Sequence, residues 1–151
     1  MRNIFILLLV VSIIACSFSS CSHADINPLA TVTEFEREFM TGGRIYYSLA
    51  SEGERGYVKR EMFDAIFPDG LPGCEYSLLI YSSLSSVSEL GVFKLEDRGK
   101  IPELISVLST RIKLLSLFME GESFIYEKGR VVAYGFFDNA EEAKKLLKSL
   151  L

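Results

Sequence analysis

Histidine is almost absent from this chain. The one imidazole is His23, beside the apolar N-terminus, so the rest of the sequence has no Ser-His or Cys-His pair for nucleophilic catalysis. The same shortage, with only three cysteines, leaves nothing from which to build a metal site of the His and Cys type, and no metal or cofactor is expected. A disulfide-stapled scaffold is excluded by the count: Cys16 and Cys21 lie near the N-terminus and Cys74 stands alone beyond them. Cys21 and Cys74 form the one pair left if Cys16 is otherwise engaged. Cys74 follows Leu71-Pro72-Gly73 with no His beside it, which reads as a buried or turn-edge thiol. Basic residues are outnumbered, 16 against 20 acidic, and no Lys/Arg cluster is interleaved with aromatics. A nucleic-acid partner and a polybasic membrane patch are therefore not expected. Gly42-Gly43 and Asp69-Gly70 are turn or cap signals, and neither stands between a strand and a helix as a phosphate cradle would. No repeat is visible.

What is present begins with a leader. Met1-Arg2-Asn3 precedes an apolar run, Ile4 to Ala15, broken only by Ser12, the layout of a secretory signal. The run spans roughly 18 Å as a helix against about 30 Å of hydrocarbon, too short for a permanent membrane span. Ile13-Ile14-Ala15-Cys16 resembles the lipobox of bacterial lipoproteins, in which the cysteine receives diacylglycerol. Phe18-Ser19-Ser20-Cys21 is a second match, with Phe18 in place of the usual aliphatic residue, and Ser22-His23-Ala24 is a small-x-small site for ordinary cleavage. Lipid on Cys16 is the first expectation and lipid on Cys21 the alternative. A diacylglyceryl group supplies the two chains that stable anchoring requires. The expected organisation is a signal over 1–15, a tether over 16–30 and one domain over 31–151.

Within the domain, Thr33-Glu34-Phe35-Glu36 has the form of a capping box, predicting a helix to about Met40 ended by Gly42-Gly43. Ile45 to Leu49 reads equally as a strand or a loop. Glu54 to Phe67 is expected to be helical, with Val58, Met62, Ala65 and Ile66 on one face and Pro68-Asp69-Gly70 as the stop. Two strands, 75–82 and 90–96, then flank a serine-rich turn. Ile101, Leu104, Ile105, Leu108, Ile112, Leu115, Phe118 and Met119 recur at steps of three and four, the mark of a long amphipathic helix. A second hairpin, Phe124 to Glu127 and Val131 to Phe137, turns at Lys128-Gly129-Arg130. Asp138 then caps a last helix with Glu141 in its first turn and a stripe of Ala140, Ala143, Leu146, Leu147 and Leu150. The fold class is α+β: a four-stranded, mostly antiparallel sheet from two hairpins, each followed by a helix, with helices N-terminal to it.

From Gly73 onward the text resembles a family of bacterial lipoproteins known only as Domain of Unknown Function 4358. The resemblance rests on Ser88-Glu89-Leu90-Gly91-Val92-Phe93-Lys94, on Arg111 in the long helix, and on Glu127-Lys128-Gly129-Arg130-Val131-Val132. The chain departs from that pattern at Met119-Glu120-Gly121, where a tyrosine and a proline are usual. The resemblance implies an exported, membrane-tethered protein and names no activity.

Glu89 and Arg111 are the charged positions singled out. Arg111 lies at the edge of the helical stripe, either laying its stem on the sheet and pairing with Glu89, or offering its donor fork to an anionic ligand. Tyr46 and Tyr47 are further candidate binding residues. Two functional readings follow, neither enzymatic. One is an envelope protein or peptide-interaction module using a sheet edge or an uncovered sheet face. The other is a small-ligand-binding lipoprotein with a pocket between the sheet and the N-terminal helices, lined by Tyr46, Tyr47 and Arg111.

Overall fold

The computed structural model describes residues 25–84 and 86–151. Cys16, Cys21 and the leader lie outside the described residues. The first helix, α1, spans Pro28–Phe39. It starts five positions before the Thr33 expected as its cap, because Asn27-Pro28 is the stronger signal. The Asn27 side chain accepts the Ala30 N–H at 3.0 Å, and proline occupies the first turn, where its missing N–H costs nothing. The tether expected to run to residue 30 is thus helical from Pro28. Met40 closes α1 in the left-handed region at φ 53°.

Strand β1, Arg44–Tyr47, resolves the open reading of this stretch and adds a fifth strand to the four expected. The helix expected from Glu54 is shorter: α2 spans Arg60–Ile66. Gly53 and Gly56, at φ 90° and 101°, break the earlier turn, so Val58 is buried from a loop and Ala65 faces solvent. Strands β2 (Cys74–Ser82) and β3 (Val87–Leu95) form the first hairpin. Helix α3 (Ile101–Phe118) follows, then β4 (Glu122–Lys128), β5 (Val131–Phe137) and α4 (Ala140–Leu150). The cap of α4 is Asn139 and not Asp138, and its side chain makes no hydrogen bond to the helix backbone.

All five strands join one antiparallel sheet in the order β1-β2-β3-β5-β4. Helices cover both faces. Val32 and Phe35 of α1 and Ala140, Ala143 and Leu147 of α4 pack on Leu79, Leu90, Val92, Ala133 and Phe137. Leu104 and Leu108 of α3 and Ile66 of α2 pack on Leu78, Phe93, Val132 and Tyr134. Strand β5 is buried at all seven positions, as a central strand between two helical layers must be. Of the long helix's apolar residues, Ile101, Leu104, Leu108 and Leu115 are buried. Phe118, at its last turn, is 80% exposed.

Candidate functional site

Two places gather the residues that sequence reasoning singled out. The first is a buried polar network. Glu89 points from β3 toward α3 and is fully buried. Arg111 descends from α3 and donates from Nε to Oε1 at 2.8 Å and from Nη2 to Oε2 at 2.6 Å, the bidentate geometry that a planar guanidinium favours. The Tyr134 hydroxyl of β5 donates to Oε1 as well. Among the described residues no buried side-chain polar atom lacks a partner. Burial alone would lower the Arg111 pKa, but the hydrogen bond and charge of Glu89 outweigh it and raise it. Tyr134 is held well above the ordinary tyrosine value by burial first and by the Glu89 carboxylate second, with Arg111 opposing.

Glycine makes room for this network. Gly91 is the cross-strand partner of Tyr134, and the ring occupies the space that a Cβ at Gly91 would need. Tyr134 therefore lies flat across β3 and stacks on Phe93, with centroids 6.0 Å apart. The sequence placed Glu89 and Arg111 as candidates and missed Tyr134. A glycine within an otherwise apolar strand, two residues from a buried acid, is the signal that would have pointed to an aromatic partner.

The second place is a groove of about 710 Å³ along β1, between α1 and the loop that precedes α2. Tyr46 and Tyr47 line it together with Arg44, Arg55 and Tyr57, and Arg111 does not. The donor fork of Arg111 is taken up by Glu89 in the core, so the expected grouping of Arg111 with the two tyrosines is not formed. The side chains of Arg44 and Arg55 form no ion pair or hydrogen bond with any described residue. The two acids at the rim are held by backbone groups. Glu36 accepts the N–H of Thr41 at 3.1 Å and of Gly42 at 2.7 Å, and Glu54 accepts that of Ser51 at 2.8 Å. The loop is clasped to the strand: the Tyr47 N–H donates to the Gly56 carbonyl at 3.0 Å, and a Cβ at Gly56 would enter the Tyr47 ring. Nothing in the sequence marked Arg44 or Arg55, because their significance depends on a loop folding back beside an edge strand.

Cys74 is half-buried, and its thiol is pushed up to about 12 by burial and by the nearby Glu96 charge, the reverse of an activated nucleophile. No cluster of His, Cys, Asp or Glu that could hold a metal occurs among the described residues, and no described helix is long and apolar enough to cross a membrane. No family model matches the chain, and no curated protein or solved structure matches it.

Proposed function

We propose that this chain is a non-enzymatic, extracytoplasmic module held to a membrane by lipid on Cys16, or alternatively on Cys21, that binds a peptide or protein partner at the β1 edge of its sheet. The observation that carries the binding reading is the division of the surface. Helices cover both sheet faces, while the short edge strand β1 borders an open groove furnished with tyrosines and two arginines whose side chains pair with no described residue. Tyrosine and arginine are the side chains that most often anchor such contacts. The address rests on the leader: one Arg, an apolar run of about a dozen residues, then Ala15-Cys16. The resemblance to the Domain of Unknown Function 4358 lipoproteins supports the same address.

A small-ligand reading is favoured by one observation, the groove's volume of about 710 Å³, within the range of small-molecule sites. Mass spectrometry of the N-terminal peptide from membranes of the native host tests the anchor. A diacylated peptide beginning at Cys16 or Cys21 is expected, and an unmodified peptide beginning at Asp25 would overturn it. Isotope-edited NMR of the full-length protein with partner peptides tests the site, with shifts expected at Arg44 to Tyr47.

A further inference from the structure

We infer that the β1 groove takes an extended, carboxylate-bearing peptide, which adds its backbone to the free edge at Ile45 and sets its acidic side chains against Arg44 and Arg55. This rests on the peptide-binding reading above and gives it a ligand class.

The backbone part follows from strand geometry. In an antiparallel strand the N–H and C=O of one residue point the same way, and the direction alternates along the chain. Tyr47 donates its N–H away from β2, to Gly56, whereas Ser48 donates inward to the Tyr76 carbonyl at 3.0 Å. Ile45, two residues before Tyr47, therefore presents both its N–H and its C=O on the outer edge, and no described residue hydrogen-bonds to them there. The Gly56 carbonyl already occupies the next outward position. On the other side the Gly43 N–H donates to the Thr41 hydroxyl at 3.0 Å, so the open edge is Ile45 alone, and an added strand docks beside it and stops at the loop.

The charge part follows from pairing. On this acidic protein Arg37, Arg60, Lys94, Lys100 and Arg111 each sit within 4.0 Å of a carboxylate among the described residues, whereas Arg98, Arg130 and most lysines, all outside the groove, do not. Arg44 and Arg55 do not, although Glu36 and Glu54 line the same groove, because backbone N–H groups hold those carboxylates. The groove therefore offers two guanidinium forks with no partner among the described residues, and a carboxylate is the planar group that they match. The rings of Tyr46, Tyr47 and Tyr57 supply flat surface for the intervening side chains of a peptide.

The test uses the full-length protein in nonionic detergent and two capped pentapeptides, Glu-Thr-Glu-Thr-Glu and its Gln-Thr-Gln-Thr-Gln counterpart, titrated while the Ile45 amide is followed by NMR. The acidic peptide is expected to shift Ile45 and to bind at least tenfold more tightly than the neutral one. The exposed double substitution Arg44→Gln/Arg55→Gln is expected to abolish that difference and leave the fold intact. Equal binding of both peptides, with Ile45 still shifted, would overturn the acidic ligand class and keep the peptide-binding reading. Free glutarate binding as tightly as the acidic peptide, without a shift at Ile45, would overturn strand addition in favour of a small ligand. No response at Ile45 to either peptide at millimolar concentration would overturn both the inference and the peptide reading, and would leave the two arginines as charges that keep an edge strand from pairing.

Discussion

Gly91 and Tyr134 face each other across β3 and β5, and the tyrosine ring lies where a side chain on Gly91 would be. A Cβ at this position would also come 2.6 Å from Phe93 Cε2, so neither neighbour has room to withdraw within a close-packed layer. The position requires glycine for space, and the space serves a polar purpose: it lets the Tyr134 hydroxyl reach Glu89.

Replacing Gly91 with alanine is accordingly expected to destabilise the fold by about 2–4 kcal/mol, from overpacking together with the weakened tyrosine hydrogen bond. Urea unfolding measures the loss. A variant within about 0.5 kcal/mol of the parent would show that the Tyr134 ring can move aside.

Arg111→Met is expected to cost about 3–5 kcal/mol, because it leaves the Glu89 carboxylate buried with only the Tyr134 hydroxyl as a partner. The apolar triple Glu89→Leu/Arg111→Met/Tyr134→Phe removes the whole network and is expected to recover most of that loss. Both variants are expected to bind the acidic pentapeptide like the parent when folded, since Arg111 is absent from the groove. Loss of peptide binding in a folded triple variant would return Arg111 to the binding site.

Stability is expected to fall at alkaline pH. In the unfolded chain tyrosine ionises near pH 10, whereas folded Tyr134 holds its proton to a well higher pH, and Cys74 holds its own to about 12 against an ordinary 9.0. Above about pH 9 the unfolded state therefore binds fewer protons than the folded state, and unfolding becomes easier as pH rises. The contribution is full below those unfolded values and declines by up to about 1.4 kcal/mol per pH unit for each group. Tyr134→Phe should give a visibly shallower decline between pH 10 and 11, at a starting stability lowered by about 1 kcal/mol. An unchanged slope would mean that other groups cause it.

The Cys74 thiol is expected to alkylate slowly. With its pKa near 12, the thiolate fraction at pH 8 is about one in ten thousand. Peptide mapping after iodoacetamide treatment should show labelling of Cys74 on the order of a thousandfold slower in the native protein than in urea. Comparable rates would indicate a thiol that is not desolvated.

The two hairpins and the two helices after them were legible because their signals are local: period-two runs flanked by Gly, Ser and Lys turns, and an apolar residue every third or fourth position from Ile101 to Leu115. Strand β1 was not. Four residues containing two tyrosines have no distinct period, and they become a strand by hydrogen bonding to β2 more than thirty residues later, helped by the Ser77 hydroxyl donating to the Tyr46 carbonyl at 3.1 Å. The start of α1 was misplaced because two cap signals, Asn27-Pro28 and Thr33, stand in one segment. Only Asn27 comes before Val32, whose side chain reaches the core with Phe35. Glu89 and Arg111 were visible as charges among apolar residues. The groove was not, since it depends on how Gly56 returns the chain against Tyr47.

The row Lys94, Val131, Lys128 runs side by side across three neighbouring strands. At one end of that row Lys94 Nζ meets the Asp25 carboxylate at 2.7 Å, and at the other Lys128 donates to the carbonyl of Leu151. Two strand spacings, roughly 10 Å, separate the backbones of these two lysines, so the segment before α1 and the end of α4 are tied to the same end of the sheet. The Ser83–Ser86 turn lies at the opposite end of β3, so a break in the chain there keeps every strand pairing of the sheet and leaves both ties, at Lys94 and at Lys128, in place.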